Sequence, residues 1–344
     1  MTFIEFVTSY LNLALFTRIA ERRTPIYSPI YEHCFPTRTP RAVSRINLTD
    51  LKRAIHSMPV ITRGGMAIPL DAKEGTSVLI EPLSIRLSDF ITGAKLNDLK
   101  ALFGDGSESG QALVKTEIDK IIEDLLRSTE ATRNALCAQA MTGKISYQLE
   151  SQGKKERYEI TFGTTLKADP ATKLDEAGQT LVDLYNVLSS MKRKIADKGY
   201  AGTVEVMAGA NAFSLIANII MASKDTDRMG AMIRNDRIEF MGFNIWLNDA
   251  TYTDTQADGK SVVKSEVDTN SIMMYVTALG EVQYCAVDDV NANLQATPFW
   301  ANAYTNVDPS GYKIISESKP MPMMPAESIC WSVITTGPSI KAGA

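Results

Sequence analysis

Histidine is nearly absent from this chain of 344 residues, and its cysteines are few and scattered. The two histidines are His33 and His56, and none of the four cysteines forms a CxxC pair. A structural zinc site needs clustered Cys or His ligands, and a nucleophile–histidine–acid triad needs a histidine that reaches the core. We therefore expect no metal site, no catalytic residue of these kinds and reduced thiols in a cytoplasmic setting.

The chain also lacks an excess of basic residues and any long apolar run. It has 36 Lys and Arg against 40 Asp and Glu, a net charge of −4. Surfaces that bind specific nucleic-acid sequences are basic, so such binding is not expected, although an acidic wall can face nucleic acid. No stretch reaches the roughly 18 apolar residues of a membrane span. The first basic residues follow the N-terminal apolar run instead of preceding it, which is not the pattern of a secretory signal.

Glycine-rich stretches of the chain do not match nucleotide-binding motifs. Residues 104–110 read GDGSESG, with the wrong spacing for GxGxxG and no strand leading into them. Gly143-Lys144 follows a predicted helix, whereas a P-loop lysine follows a strand and a glycine-rich turn. We expect no cofactor and no enzymatic activity. An enzyme of unknown type stays open as an alternative, and it would need a pocket with convergent polar groups.

The first 45 residues combine an apolar N-terminal segment with a proline-rich, aromatic one. MTFIEFVTSYLNLALF has the spacing of an amphipathic helix. Prolines at positions 25, 29, 36 and 40 then hold the chain extended. This segment has too many prolines to build a core of its own, so the sequence predicts an arm that lies on another surface.

PVITRGGMAIP, at residues 59–69, allows two interpretations. Its arginine and two glycines fit a phosphate-binding loop, and they equally fit the bend of an exposed arm. Strand-like segments on both sides and the turn-rich DAKEGT at 71–76 favour a long two-stranded extension.

The remaining chain predicts a mixture of helices and strands. Residues 111–142 contain no proline or glycine and carry an apolar stripe, so we expect a helix of about 45–50 Å. Residues 145–163 alternate as a β-hairpin, and residues 176–198 form a second amphipathic helix. Short strands and helices follow, and two final strands joined by a proline-rich turn close the chain. Without a regular βαβ succession, the predicted class is α+β.

Ordered stretches over nearly the whole chain resemble the major capsid protein family of lambda-like tailed bacteriophages, the phage capsid E family, which has the HK97-type capsid fold. They include YEHCFPTRTPRAVSRINL, MPVITRGGMAIPL, VLIEPLSIRLSDFI, TEATRNALCAQAMTGKISY, VEVMAGANAF and KPMPMMPAESICWSVIT. Their order and spacing carry the resemblance, and it assigns residues 59–69 to the family's extended loop.

The resemblance implies a division of the chain into the parts of that fold. These are an N-terminal arm (1–45), an extended E-loop (46–92), a peripheral P-domain with a spine helix at about 110–143 and a β-hairpin (93–174), an axial A-domain (175–305), and closing P-domain strands with the C-terminus (306–344). No extra domain precedes the arm, so a separate scaffolding protein is expected.

The implied function is that of a major head protein. Its copies would assemble into hexamers and pentamers of an icosahedral or prolate shell around double-stranded DNA, without sequence-specific binding. Implied partners are other copies, a scaffolding protein, a maturation protease, a portal protein and a candidate decoration protein. The implied location is the virion, after assembly in the host bacterial cytoplasm. An encapsulin-type nanocompartment shell protein is the alternative. The implied intersubunit contacts are Arg63, Gly64, Gly65, Lys73 and Glu74 in the E-loop, and Tyr27, Tyr31, Phe35, Arg38 and Arg41 in the arm.

Overall fold

The fold is known from a computed structural model. It describes residues 2–11, 16, 19–20, 22–47, 79–104, 106–151, 154–223, 230–255 and 260–337. Helices and strands alternate along these residues, which confirms the predicted α+β class.

The helices of the described residues are α1 (Phe3–Tyr10), α2 (Gly93–Phe103), α3 (Glu108–Ala140), α4 (Leu181–Asp197) and α5 (Ala210–Ala222). A π-helical turn spans Ile30–Cys34, and 3₁₀ turns span Val290–Ala292 and Ala326–Ser328.

The strands are β1 (Thr37–Arg41), β2 (Ile46–Asn47), β3 (Leu79–Ile80), β4 (Ile85–Thr92), β5 (Lys144–Ser151), β6 (Lys154–Thr161), β7 (Leu166–Lys167), β8 (Val204–Ala208), β9 (Met232–Ile233), β10 (Arg237–Phe240), β11 (Phe243–Leu247), β12 (Thr251–Thr255), β13 (Ser261–Ser265), β14 (Ser271–Val276), β15 (Glu281–Cys285), β16 (Trp300–Asn306), β17 (Gly311–Ser318), β18 (Pro320–Met323) and β19 (Ile329–Val333).

Helix α3 is the long helix that the sequence predicts, and its 33 residues extend for about 50 Å. The side chain of Ser107 accepts a hydrogen bond from the Gly110 amide and caps its first turn. After its last turn, Gly143 has a φ of +84°, a conformation that favours glycine. The glycine-rich stretch before α3 is a tight joint between two helices, because α2 ends at Phe103. The sequence analysis did not predict α2.

Helix α4 begins five residues later than the predicted start at 176. Thr180 and Asp183 form a capping box at this point, with the Asp183 carboxylate accepting from the Thr180 amide at 2.8 Å. The Asp183 carboxylate satisfies the Thr180 amide, and the Asp183 amide donates to the Thr180 carbonyl at 3.1 Å, which fixes the first turn of the helix here.

The sheets differ from the prediction at the end of the chain. Instead of a turn, Pro320–Met323 forms a strand at the edge of the three-stranded sheet β1-β15-β18. An edge position tolerates proline, which has no amide hydrogen to donate to a further strand. Strand β19 joins the seven-stranded sheet β7-β19-β14-β8-β11-β10-β9, and β17 lies at the centre of the sheet β16-β17-β4.

Three hydrophobic clusters hold the described residues together. In one, α4 and α5 pack on the seven-stranded sheet. A second gathers α1, α2, the first half of α3 and the sheet β16-β17-β4. The third contains the π-helical turn, the end of α3 and strands β14, β15 and β18. Because α3 contributes to both the second and the third cluster, it fixes them relative to each other.

Candidate assembly surfaces

Tyr31, a predicted contact residue of the arm, is seated inside its own subunit. Its side chain is 4% exposed, and its hydroxyl lies 3.0 Å from the hydroxyl of Tyr284 on β15. The guanidinium carbons of Arg133 and Arg38 lie 3.7 and 4.2 Å from its ring centroid. Such cation–π contacts stabilise an aromatic ring by about 0.5–2 kcal/mol each. The ring therefore anchors the arm on α3 and β15.

A buried carboxylate holds the start of the π-helical turn. Ser28 donates a hydrogen bond to the Glu266 side chain at 2.9 Å, and the Asn248 amide donates to the same carboxylate at 3.2 Å. Burial raises the pKa of Glu266, while the hydrogen bonds from Asn248, Ser28 and the Ile30 amide partly oppose this. The Glu266 carboxylate thus accepts hydrogen bonds from Ser28 of the arm and from Asn248. It connects the arm to the chain directly after β13.

Two polar side chains of α3 hold the chain just before this turn. Glu130 is 8% exposed and accepts from the Ile26 amide at 3.1 Å and from Arg23 at 3.3 Å. Asn134, one helical turn later, donates to the Ile26 carbonyl at 3.4 Å. Together they satisfy both polar groups of the Ile26 backbone, which has no partner strand.

The arm passes unusually close to the turn before β15. A Cβ atom added to Gly280 would lie 1.9 Å from the Cys34 carbonyl oxygen, far inside van der Waals contact. Beyond this point β1 pairs in parallel with β15, from Thr37 opposite Glu281 to Arg41 opposite Cys285. The arm is therefore part of a sheet of its own subunit.

These contacts differ from the expectation that the arm needs another surface for its apolar side chains. Tyr31 and Phe35 are 4% and 0% exposed within one chain, so they offer little area to a neighbour. Tyr27 is 64% exposed, Arg41 is exposed, and Arg38 keeps 41% of its side chain exposed although it pairs with Glu32 at 2.8 Å. A parallel pairing and a hydroxyl contact across 253 residues are long-range features, which explains why proline content alone misjudged the arm.

The predicted E-loop residues Arg63, Gly64, Gly65, Lys73 and Glu74 lie outside the described residues. The two ends of that segment are described, and they meet. Strand β2 pairs antiparallel with β3, Ile46 opposite Ile80 and Asn47 opposite Leu79. The described residues on either side of positions 48–78 are therefore hydrogen-bonded to each other.

Residues next to β2 and β3 make two further contacts. Arg45 and Glu81 form an exposed ion pair at 3.4 Å. Tyr158 of β6 donates to the Glu81 carbonyl at 2.8 Å, and burial raises the pKa of its hydroxyl to about 12. The hydroxyl thus stays protonated and links the hairpin β5–β6 to the residue after β3.

Several residues that position the arm carry no signal in the sequence. Glu130, Glu266 and Tyr284 are ordinary side chains of a helix, a loop and a strand, and Gly280 is one glycine among 21. A charged residue on the apolar stripe of α3 is the one available hint, because buried carboxylates need partners. Its partner could not be identified from spacing.

The described part of the chain offers few groups for metal binding or for cysteine chemistry. There, no cluster of three or more Cys, His, Asp or Glu has the arrangement to hold a metal ion. All four cysteines are buried and unpaired. Among the helices of these same residues, none has the length and apolar character needed to cross a membrane.

A family model and a solved structure both match nearly the whole chain. The model of the family "Phage major capsid protein E" matches residues 13–335. A protein described as the capsid protein of a prophage of E. coli CFT073 superimposes with a TM-score of 0.64 at 17% identity, covering 94% of this chain and 99% of that one. Curated protein sequences give no match.

Two further structures are similar at lower scores. A phage-related protein from Bordetella bronchiseptica RB50 has a TM-score of 0.44 at 10% identity, covering 95% of this chain and 98% of that one. The capsid of Ralstonia phage GP4 has a TM-score of 0.43 at 10% identity and 88% coverage of both chains.

Because the sequence identity is low, the likeness to the E. coli prophage protein shows the fold alone. The family model shows the family, because it matches almost the full length of the sequence. The expected family and the HK97-type fold are both confirmed. The chain belongs to the phage major capsid protein E family.

Proposed function

We propose that this protein is the major head protein of a tailed bacteriophage, and that its copies assemble through E-loop and arm contacts into hexamers and pentamers of an icosahedral or prolate shell around double-stranded DNA. Membership of a capsid family implies a structural protein of the virion that forms a homo-oligomeric shell. The finer statements on hexamers, pentamers and DNA are the proposal.

The meeting of β2 and β3 is the observation that carries the proposal furthest. It brings the two ends of residues 48–78 together, which supports the proposal that this segment contacts a neighbouring subunit. Arg63, Gly64, Gly65, Lys73 and Glu74 belong to that segment and are the proposed E-loop contacts. Heterologous contacts of this kind close into rings when the rotation between copies allows it.

The arm contributes through its outward residues. Tyr27, Arg38 and Arg41 keep exposed surface, whereas Tyr31 and Phe35 are buried within the subunit. The proposed arm contact therefore consists of two cations and one aromatic ring on a segment that buried side chains hold in place. Arginine and tyrosine are enriched in the energetic centres of protein interfaces.

The domain division stays part of the proposal, with one qualification from the sheets. Strands β7 and β19, assigned to the P-domain, pair within the seven-stranded sheet that also contains β8 and β14 of the proposed A-domain. The two proposed domains thus share backbone hydrogen bonds within that sheet.

The proposed partners are a separate scaffolding protein, a maturation protease, a portal protein and a candidate decoration protein. Assembly is proposed to occur in the host bacterial cytoplasm. The formal charge of −4 suits a wall that confines DNA without binding particular sequences. No catalytic role is proposed for any residue.

Expression with and without the candidate scaffolding protein, followed by electron microscopy, tests the proposal. We expect closed shells with pentamers and hexamers in at least one condition. The content of the particles then separates the alternatives, because a nanocompartment of the encapsulin type would enclose a protein cargo and a phage head would package DNA. A chain that stays monomeric at high concentration in both conditions contradicts the proposal.

A further inference from the structure

Strand β4, which follows β3 along the chain, places an arginine beside two buried carboxyl groups. Arg86 lies directly opposite Glu317 of β17, and Glu317 lies opposite Trp300 of β16. Residues opposite each other in antiparallel strands project to the same face and interact. The three side chains therefore form one row across the sheet, with Glu317 in the middle.

Glu317 is fully buried but only half satisfied. Its side chain is 0% exposed, and Oε1 accepts from the Asp288 amide at 3.1 Å. Its other oxygen, Oε2, is buried and accepts no hydrogen bond. The neighbouring Trp300 indole N–H is also buried and makes no hydrogen bond. Buried polar atoms without partners are rare and call for an explanation.

Arg86 is near enough to attract these carboxylates but not to bond them. Its Nε lies 3.7 Å from Glu317 Oε2, and its Nη2 lies 3.8 Å from Asp289 Oδ2. Hydrogen bonds between nitrogen and oxygen are about 2.7–3.2 Å long. Nearly half of the Arg86 side chain, 48%, is exposed, so water competes for the guanidinium.

Hydrogen bonds hold the Asp289 carboxylate in place. Asp289 is held by the Tyr304 hydroxyl at 2.8 Å and by the Asn291 amide at 2.8 Å. The neighbouring Lys319, which is 3% exposed, pairs with Asp288. The side chains of Glu317 and Asp289, 0% and 9% exposed, thus both approach the guanidinium of Arg86.

We propose that Arg86 and the carboxylates of Glu317 and Asp289 form a charge latch, which is open in the free subunit and closes when a neighbouring subunit covers Arg86. Covering removes water from the guanidinium and strengthens its attraction to the carboxylates. Arg86 then donates directly to Glu317 Oε2, the one free acceptor. Closure fixes strand β4 and with it the base formed by β2 and β3. This inference rests on the proposed assembly into a shell.

Hydrogen exchange on the full-length wild-type chain, unassembled and assembled, tests the latch. We expect the amides of β4 around Arg86 to exchange at least about tenfold more slowly in the shell. The variant Glu317→Gln keeps the size of the side chain and removes its charge, and it should lose most of this slowing. Arg86→Gln removes the guanidinium from a half-exposed position and should also lose most of this slowing. It therefore serves as the test if Glu317→Gln fails to fold.

Glu81→Gln is the matched control. It makes the same chemical change in the ion pair with Arg45, whose side chains are 65% and 57% exposed. Exposed pairs contribute little, so this variant should keep the wild-type slowing. If wild-type shells form and both latch variants exchange like Glu81→Gln, the latch is wrong and the proposed function stands. If the wild-type chain forms no shell, both proposals fail together.

Discussion

Replacement of Gly280 by alanine tests most directly how the arm packs against the turn before β15. The new Cβ would lie 1.9 Å from the Cys34 carbonyl oxygen and 2.9 Å from its carbonyl carbon. Carbon–oxygen contacts in proteins are about 3.3–3.6 Å, so Cys34 would have to move by roughly 1.4 Å. Both close atoms belong to the backbone, so no side-chain rotation relieves the clash.

The magnitude follows from what moves with Cys34. Phe35 follows it directly and Ile30 begins the π-helical turn that Cys34 ends, and both are 0% exposed. Burial of one such side chain stabilises a fold by about 1.5–3 kcal/mol, so loss of both costs about 3–6 kcal/mol. A displacement absorbed by local repacking costs less, about 1–3 kcal/mol. We expect Gly280→Ala to lower the free energy of unfolding by about 1–6 kcal/mol, the range between these two limits.

Urea denaturation of the unassembled chain measures this loss, and hydrogen exchange of Thr37–Arg41 reports whether β1 still pairs with β15. Gly93→Ala is the control, because a Cβ there meets its nearest atom, the Ser310 carbonyl oxygen, at 3.4 Å, an ordinary contact. The reasoning is refuted if Gly280→Ala matches this control in unfolding free energy and retains the wild-type protection of β1.

Three further changes test the core and the buried charges. Phe103→Ala removes a ring that contacts Phe3 at 5.5 Å between centroids, and should cost about 3–5 kcal/mol in denaturation. Glu266→Gln should gain stability relative to wild type as pH rises from about 4.5: the folded pKa is raised, so the wild-type chain loses the contribution of its protonated carboxyl over that range. Equal pH dependence of the two denaturation midpoints would contradict this. Asp254→Ala removes a buried carboxylate that pairs with Lys264 at 2.7 Å and with Arg157 at 3.5 Å, so it should lower the thermal midpoint; a midpoint equal to wild type would show that these ion pairs are dispensable.

The sequence predicted best what local periodicity determines. Helix α3 and the hairpin β5–β6 depend on apolar spacing and on turn residues, and both lie within a few residues of their predicted bounds. Helix α2 went unpredicted because GAKLNDLKALF has only a weak apolar stripe, and its helix is held by contacts with α3.

The arm and the end of the chain depended on distant partners. Tyr31 is seated by Tyr284, 253 residues away, and Pro320–Met323 becomes a strand because β15 offers an edge. Spacing along the chain contains no information on either pairing. The polar residues that hold the arm, Glu130 and Glu266, could not be distinguished from surface acids for the same reason.

The central claim is that this chain is a subunit whose stable state is a closed shell of identical copies. Cryo-electron microscopy of the chain expressed with its candidate scaffolding protein tests it most directly. The account predicts closed particles in which residues 48–78 of each copy lie on a neighbouring copy, beyond their base at β2 and β3. Particles in which that segment folds back on its own subunit, or a persistent monomer, would contradict it.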